Sequence, residues 1–259
     1  MHLPSHFRLG DYGRERWYYG KTSHFGDEGV IRAVLFDLDD TLYDRFPAIR
    51  TYARSYFIRD FGNRMEPLDV EMLAEMVVGA DGGPQRTGKE AMRELQRRLP
   101  WKPGQVPSWR QLLEHWLEFF PYCSQWTQEM EDVVTSLKQH GLKLAVVTNG
   151  PSLGQNRKID ALGIRPCLDA VVISGSFGVR KPEPAIFLEA LARLEIAAPD
   201  AWFVGDNPVA DIGGAMAVGM ETVWLRRYGR PWRGASLGPG HTVTDIREVL
   251  PLVLSGPNP

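Results

Sequence analysis

Five short apolar runs recur along the chain, and each contains valine and is followed by a polar residue or glycine. Runs of this length with polar boundaries predict strands of a parallel sheet that is covered on both faces. The five predicted strands are Ile31–Phe36, Leu142–Val147, Ala170–Ser174, Ala201–Val204 and Thr222–Leu225.

Segments with helical signals separate the later runs. Gln155–Leu162 and Val209–Val218 are each followed by a glycine, which is the residue preferred just after the end of a helix. Pro184–Leu194 begins with proline, which is favoured in the first turn of a helix. Residues 241–254 predict a last short strand and a packing helix. The alternation predicts an α/β fold with a doubly wound parallel-sheet (Rossmann-like) core.

The stretch from residue 46 to residue 125 has no such apolar runs. Its apolar residues recur at helical spacing instead, and Ser108 with Gln111 forms the S-x-x-Q pattern of a capping box. This stretch therefore predicts an α-helical cap domain, inserted into a core domain formed by residues 31–45 and 126–259.

Composition limits the possible partners. The 259 residues are 43% hydrophobic and 24% charged, with a formal net charge of -2, so no basic excess indicates a nucleic-acid partner. No apolar run approaches the roughly 18 residues that span a bilayer, which predicts no membrane partner. The two cysteines form neither a disulfide framework nor a metal pair, which favours a reducing, cytoplasmic location. Residues 1–30 predict a poorly ordered N-terminal extension without the apolar segment of a signal peptide.

Polar residues follow four of the predicted strands. Ligands of α/β sheets bind at the carboxyl ends of the strands, so these side chains are expected at one edge of the sheet. In chain order they are Asp37 and Asp39, Thr148 and Asn149, Lys181, and Asp206 with Asp211.

This combination suits phosphoryl transfer. Asp37 and Asp39 alternate along an extended segment and so face the same side, where two carboxylates repel each other unless a cation lies between them. Mg²⁺ prefers such hard oxygen ligands. A carboxylate also serves as a covalent nucleophile, while a second one acts as acid and then base. Lys181 and Thr148 are suited to hold the oxygens of the transferred group.

The same residues carry a family resemblance. The segments VLFDLDDTLYD, VVTNG, GVRKPEPAIF and FVGDNPVADIGGA occur in this order between Ile31 and Leu254. In this ordered set the chain resembles the haloacid dehalogenase-like (HAD) hydrolase superfamily, specifically the phosphatase-type members with a helical cap after the first strand.

The resemblance implies a role for each residue. Asp37 is the implied nucleophile, which forms an aspartyl-phosphate, and Asp39 is the implied general acid/base. Thr148 and Lys181 are expected to bind the phosphoryl group, with Asn149 beside it.

The resemblance also implies a magnesium site. Asp206 is expected to ligate Mg²⁺ together with Asp37 and the backbone carbonyl of Asp39, while Asp211 ligates or orients the ion. Dehalogenase members lack the second aspartate of the first motif, because halide leaves without a proton. The presence of Asp39 therefore favours a phosphatase, a phosphoric monoester hydrolase that acts on a small phosphorylated metabolite.

Three alternatives stay open at this point. A phosphomutase of the same superfamily would return the phosphoryl group to its substrate. A serine esterase is suggested by Gly150-Pro151-Ser152-Leu153-Gly154, a G-x-S-x-G pattern that is followed by Asp206 or Asp211 and then His241, in the order of a triad. A non-catalytic binding protein would keep the fold without the reaction. The sequence indicates neither the particular ester nor the oligomeric state.

Overall fold

A computed structural model describes residues 31–83, 86–234 and 238–255. The prediction for the N-terminal extension, residues 1–30, lies outside these ranges. Six parallel strands form one sheet in the order β3-β2-β1-β4-β5-β6. They are β1 Ala33–Phe36, β2 Lys143–Thr148, β3 Ala170–Ile173, β4 Ala201–Gly205, β5 Glu221–Leu225 and β6 His241–Val243.

The sheet is apolar on both faces, as the continuous apolar runs predict. Along β1, Val34 and Phe36 belong to one buried cluster, whereas Ala33 and Leu35 belong to another on the opposite face. This alternation follows from the two-residue period of a strand. Full burial of side chains such as phenylalanine or leucine contributes roughly 1.5–3 kcal/mol each. The predicted doubly wound α/β fold is confirmed.

Helices cover both faces of the sheet. The second cluster is completed by α9, the helix Pro184–Leu194, whose buried residues recur at helical spacing from Ile186 to Leu194. The core helices are α6 Gln128–Gln139, α7 Ser152–Ala161, α8 Ser174–Phe177, α9 Pro184–Leu194, α10 Gly214–Ala217 and α11 Val249–Ser255. The ends of several elements differ from the sequence prediction, and α7, for example, begins at Ser152 and not at Gln155. Ser174 begins α8 instead of ending β3, and the helix predicted from Val209 begins as a π-helical turn over Pro208–Gly213.

Between β1 and β2 the structure is helical. The described part of this stretch holds the core helix α6 and, before it, five further α-helices, namely α1 Arg45–Tyr52, α2 Ile58–Phe61, α3 Val70–Asp81, α4 Gly88–Arg98 and α5 Trp109–Phe119. The capping box of Ser108 and Gln111 is present at the start of α5, with both reciprocal hydrogen bonds. The residue boundaries proposed for core and cap stay a prediction.

None of the helices in the described ranges of the chain combines the length and the apolar character that crossing a bilayer requires.

Candidate active site

Asp37 directly follows β1, the strand that lies between β2 and β4. Its backbone N–H donates to the carbonyl oxygen of Val204 over 2.9 Å, and 7% of the residue is exposed. Lys181, which precedes α9, donates to Oδ1 of Asp37 at 2.5 Å. The same ammonium lies 2.7 Å from Oδ1 of Asp211. One buried cation is therefore shared by two buried carboxylates.

Burial and the neighbouring charges together set the pKa values of Asp37 and Lys181. Burial raises the pKa of Asp37 to about 7, although the Lys181 ammonium opposes the rise, while the Asp211 carboxylate adds to it. Burial alone would lower the pKa of Lys181, but Asp211 and Asp37 outweigh that effect and raise it. Lys181 therefore stays charged near neutral pH, and the ionised form of Asp37 is more basic than an exposed aspartate, as suits a nucleophile.

Three buried carboxylates converge beside Lys181. Carboxylate oxygens of Asp37, Asp206 and Asp211 lie within 4.8 Å of one another. Burial raises the pKa of Asp206 well above its ordinary value, and the charges of Asp211 and Asp37 add to the rise. Carboxylates at this separation need positive charge among them, and a donor set of oxygens alone suits Mg²⁺. These residues therefore fit the predicted magnesium ion.

Asp39 lies in different surroundings. Its Oδ1 accepts hydrogen bonds from Nζ of Lys158 at 2.6 Å and from Nη1 of Arg45 at 2.7 Å. The hydroxyl of Tyr43 donates to the same oxygen. Oδ2 accepts from Nε2 of Gln155 at 2.8 Å. Two cations and two neutral donors therefore hold this carboxylate.

The two aspartates of the first motif have opposite pKa shifts. Burial alone raises the pKa of Asp39, but Lys158 and Arg45 outweigh it and hold the pKa below its usual range. The pKa of Asp37 is raised. Paired carboxyl groups whose environments separate their pKa values are typical of sites that assign them different roles.

Thr148 is the last residue of β2, and Asn149 directly follows it. Oγ1 of Thr148 accepts from Nε2 of Gln155 at 2.6 Å, the same nitrogen that binds Asp39. The side chain of Asn149 binds the backbone of Lys181 twice, from Nδ2 to the carbonyl oxygen at 3.0 Å and from the Lys181 N–H to Oδ1 at 2.9 Å. Asn149 therefore holds the loop that carries Lys181. Its predicted place beside a phosphoryl group stays a prediction.

A family model described as haloacid dehalogenase-like hydrolase matches residues 31–219. The chain belongs to this family. The glyceraldehyde 3-phosphate phosphatase of Pyrococcus abyssi is 32% identical to the HAD-like hydrolase over 205 residues, which cover 78% of this chain and 83% of the relative. The ribulose-1,5-bisphosphate 5-phosphatase of Halopiger xanaduensis is 30% identical over 203 residues, 75% of this chain and 84% of the relative. The predicted enzyme class, an HAD-type phosphatase, is confirmed.

A solved structure shows the same fold. The HAD-hydrolase YfnB from Bacillus subtilis, determined with bound magnesium, superposes on the HAD-like hydrolase with a TM-score of 0.68. The match covers 86% of this chain and 99% of that chain at 22% sequence identity. The predicted membership of the superfamily is confirmed by the family model, the relatives and this fold.

Several residues that bind the site carboxylates were not predicted from the sequence, among them Gln155, Lys158, Arg45 and Arg230. Gln155 and Lys158 lie three residues apart on one face of α7, and both are buried. Two buried polar residues at this spacing, soon after Thr148, are a signal that the sequence does contain. Arg45 and Arg230 have no comparable signal, because only the folded chain brings them to Asp39 and to Asp206.

Arg45 also links two helices to the site of this hydrolase. It is the first residue of α1, and its Nε and Nη2 donate to the two carboxylate oxygens of Asp81 at 3.1 and 2.6 Å. Asp81 is the last residue of α3. One guanidinium therefore joins α1 and α3 to the Asp39 carboxylate of the core.

The serine esterase alternative is excluded by the sheet order of the HAD-like hydrolase. Ser152 begins α7 just after β2, whereas His241 is the first residue of β6 and its ring stacks on Trp202 at 4.9 Å. Strands β1, β4 and β5 separate β2 from β6, which amounts to roughly 19 Å at about 4.8 Å per strand. Ser152 and His241 therefore cannot act together as nucleophile and base.

Proposed function

We propose that this HAD-like hydrolase is a magnesium-dependent phosphatase that cleaves a small phosphate monoester through an aspartyl-phosphate on Asp37. The observation that carries the proposal is the buried carboxylate of Asp37, which shares Lys181 with Asp211 and lies within the three-carboxylate cluster. Relatives named for glyceraldehyde 3-phosphate and ribulose-1,5-bisphosphate support a small phosphorylated metabolite as substrate. A reducing, cytoplasmic location is part of the proposal.

In the first step, a carboxylate oxygen of Asp37 attacks phosphorus, and the bond from phosphorus to the leaving oxygen breaks. Asp39 donates the proton that the leaving alkoxide needs. Lys181 and Thr148 hold the oxygens of the phosphoryl group. A magnesium ion held by Asp37, Asp206 and Asp211 would supply positive charge to those oxygens.

In the second step, water attacks phosphorus, the bond from phosphorus to the Asp37 oxygen breaks, and phosphate leaves. Asp39 accepts the proton of the attacking water. Its pairs with Lys158 and Arg45 hold it as the carboxylate, which is the form this step requires. The proton that Asp39 donates in the first step is the one that it accepted from water in the second step of the preceding turnover.

The proposal is tested by phosphate release from a panel of small phosphate esters with and without Mg²⁺. Release that requires Mg²⁺ supports a phosphatase, and the best ester indicates the substrate. A phosphorylated isomer formed without release of phosphate would indicate the phosphomutase. Absence of both products would indicate a non-catalytic binding protein.

Asp39→Asn should slow the hydrolysis of alkyl phosphates by about 10²–10⁴-fold, because an amide cannot transfer the proton. The loss should be smaller for nitrophenyl phosphate, whose leaving group departs without a proton. Steady-state rates with matched alkyl and nitrophenyl esters measure the difference. An equal loss with both esters would contradict the assignment of Asp39 as the acid.

Asp206→Asn should weaken Mg²⁺ binding, because one of the three converging carboxylates is lost. We expect the Mg²⁺ concentration for half-maximal activity to rise at least about tenfold, the range seen when ligand environments are altered. Calorimetric titration with Mg²⁺ gives a second readout. Asp200→Asn is the matched control. Asp200 directly precedes β4 and Asp206 directly follows it, so the two carboxylates lie at opposite ends of the same strand. An unchanged titration for Asp206→Asn would remove this residue from the ligand set.

A further inference from the structure

Arg227 lies just after β5 and reaches back to the segment that follows the first aspartate motif. Its Nε donates to the carbonyl oxygen of Asp40 at 2.6 Å, and its Nη2 donates to that of Thr41 at 3.1 Å. Its Nη1 lies 3.2 Å from Oδ2 of Asp44. The side chain is 15% exposed. A single guanidinium therefore contacts three residues of one short connection.

That connection leads from the site to the first helix after it. Asp40 follows Asp39 with a backbone φ of 59°, in the left-handed region that residues with a side chain rarely adopt. Asp44 is the residue before α1, at the N-cap position. A backbone conformation of this kind persists only where surrounding contacts hold it. The two hydrogen bonds from Arg227 to the carbonyl oxygens supply such contacts.

A ring contact joins the same two segments. The ring of Tyr228, the residue after Arg227, lies 4.8 Å from that of Phe46 in the first turn of α1. The turn after β5 therefore contacts the connection at both its beginning and its end. Arg226, by contrast, has an exposed side chain and forms none of these contacts.

We propose that Arg227 is a positioning residue, which fixes the backbone after Asp39 so that this carboxyl group lies correctly against the phosphoryl group on Asp37. The inference rests on the proposed function, because it concerns the rate of that reaction. A displacement of about 1 Å in a catalytic group can reduce the rate about 10²-fold. Removal of the guanidinium should therefore lower kcat. KM should stay unchanged, because Arg227 is not among the residues proposed to hold the phosphoryl group.

The test compares Arg227→Met with the matched control Arg226→Met, which also removes a positive charge from the same turn. Hydrogen exchange of the peptide that covers residues 40–46 reports the state of the connection without any substrate. Arg227→Met should increase this exchange and lower kcat by about 10–100-fold at an unchanged melting temperature of the core. Arg226→Met should change neither. Guanidinium ions in solution should restore part of the kcat of Arg227→Ala, because they can occupy the same place.

The outcomes distinguish a failure of the proposed phosphatase function from a failure of the positioning role of Arg227. A wild type without phosphatase activity would overturn the proposed function, while hydrogen exchange would still report whether Arg227 holds the connection. Faster exchange with an unchanged kcat would overturn the positioning role, since the backbone would then be free without a catalytic effect. Equal effects of Arg226→Met and Arg227→Met would also overturn it, because charge alone would then be responsible. A rise in KM with unchanged kcat would assign Arg227 to substrate binding instead.

Discussion

Asp37→Asn is expected to lose phosphatase activity by at least about 10⁴-fold while the protein stays folded. An amide is a poor nucleophile, so no aspartyl-phosphate forms on it. The fold should tolerate the change because burial raises the pKa of Asp37 to about 7, which means that the charge itself is costly in the folded state. Lys181 keeps Asp211 as its partner at 2.7 Å. Phosphate release and denaturant unfolding measure the two effects.

Ser152→Ala is the control for this experiment, because Ser152 is the nucleophile that the G-x-S-x-G pattern suggests. We expect it to release phosphate at the wild-type rate. Near-normal turnover by Asp37→Asn, together with a loss of turnover in Ser152→Ala, would contradict the nucleophile assignment.

Lys181→Met should destabilise the protein by about 3–5 kcal/mol at pH 8 without added metal. The change leaves the carboxylates of Asp37 and Asp211 buried without the cation that they share, and an uncompensated buried charge has this order of cost. Excess Mg²⁺ should restore part of the stability, because the ion supplies positive charge to the same carboxylates. Denaturant unfolding with a chelator and with Mg²⁺ measures both.

The loss of stability should depend on pH. The pKa of Asp37 is about 7 in the folded protein and near 3.8 when exposed, so the folded state keeps a proton that the unfolded chain has already lost. Stability is therefore lost as the pH rises from 3.8 to about 7, the folded-state pKa of Asp37. Removal of Lys181 takes away the charge that lowers this pKa, so in Lys181→Met the loss continues above pH 7, and the defect relative to the wild type should shrink between pH 8 and pH 5. A defect that is constant over this range would show that ionisation of Asp37 is not its cause.

Lys138→Met is the matched control for a lysine–aspartate pair. Lys138 binds Asp169 at 2.8 Å, but both side chains are about one third exposed. A pair in that setting contributes about 0–1 kcal/mol. An equal loss for Lys138→Met and Lys181→Met would show that burial is not responsible.

The central strands could be predicted from the sequence because the sheet is covered on both faces. A strand such as β1 is then apolar at every position, from Ala33 to Phe36, and stands out against its polar flanks. The ends of elements were less certain. Ser174 directly follows the apolar residues of β3 and yet begins a helix, because an apolar run alone does not mark the residue at which a strand ends.

The candidate site was predictable where it depends on strand ends and not where it depends on distant side chains. Asp37 directly follows β1 and Thr148 ends the neighbouring β2, so their position follows from the topology. Lys158 reaches Asp39 across 119 positions of sequence, and Arg227 reaches Asp40 across 187. No local sequence pattern predicts such contacts, because they depend on how helices and loops pack around the sheet.

The guanidinium that joins α1 and α3 to Asp39 has a consequence for protein engineering. Exchange of helices between relatives is an obvious route to new substrate preferences. A graft that replaces α3 without an acid at position 81 would leave Arg45 with Asp39 as its remaining carboxylate partner. Because Arg45 helps to set the charge of Asp39, such a chimera would change the chemistry along with the selectivity. Arg45 and Asp81 should therefore be transplanted together.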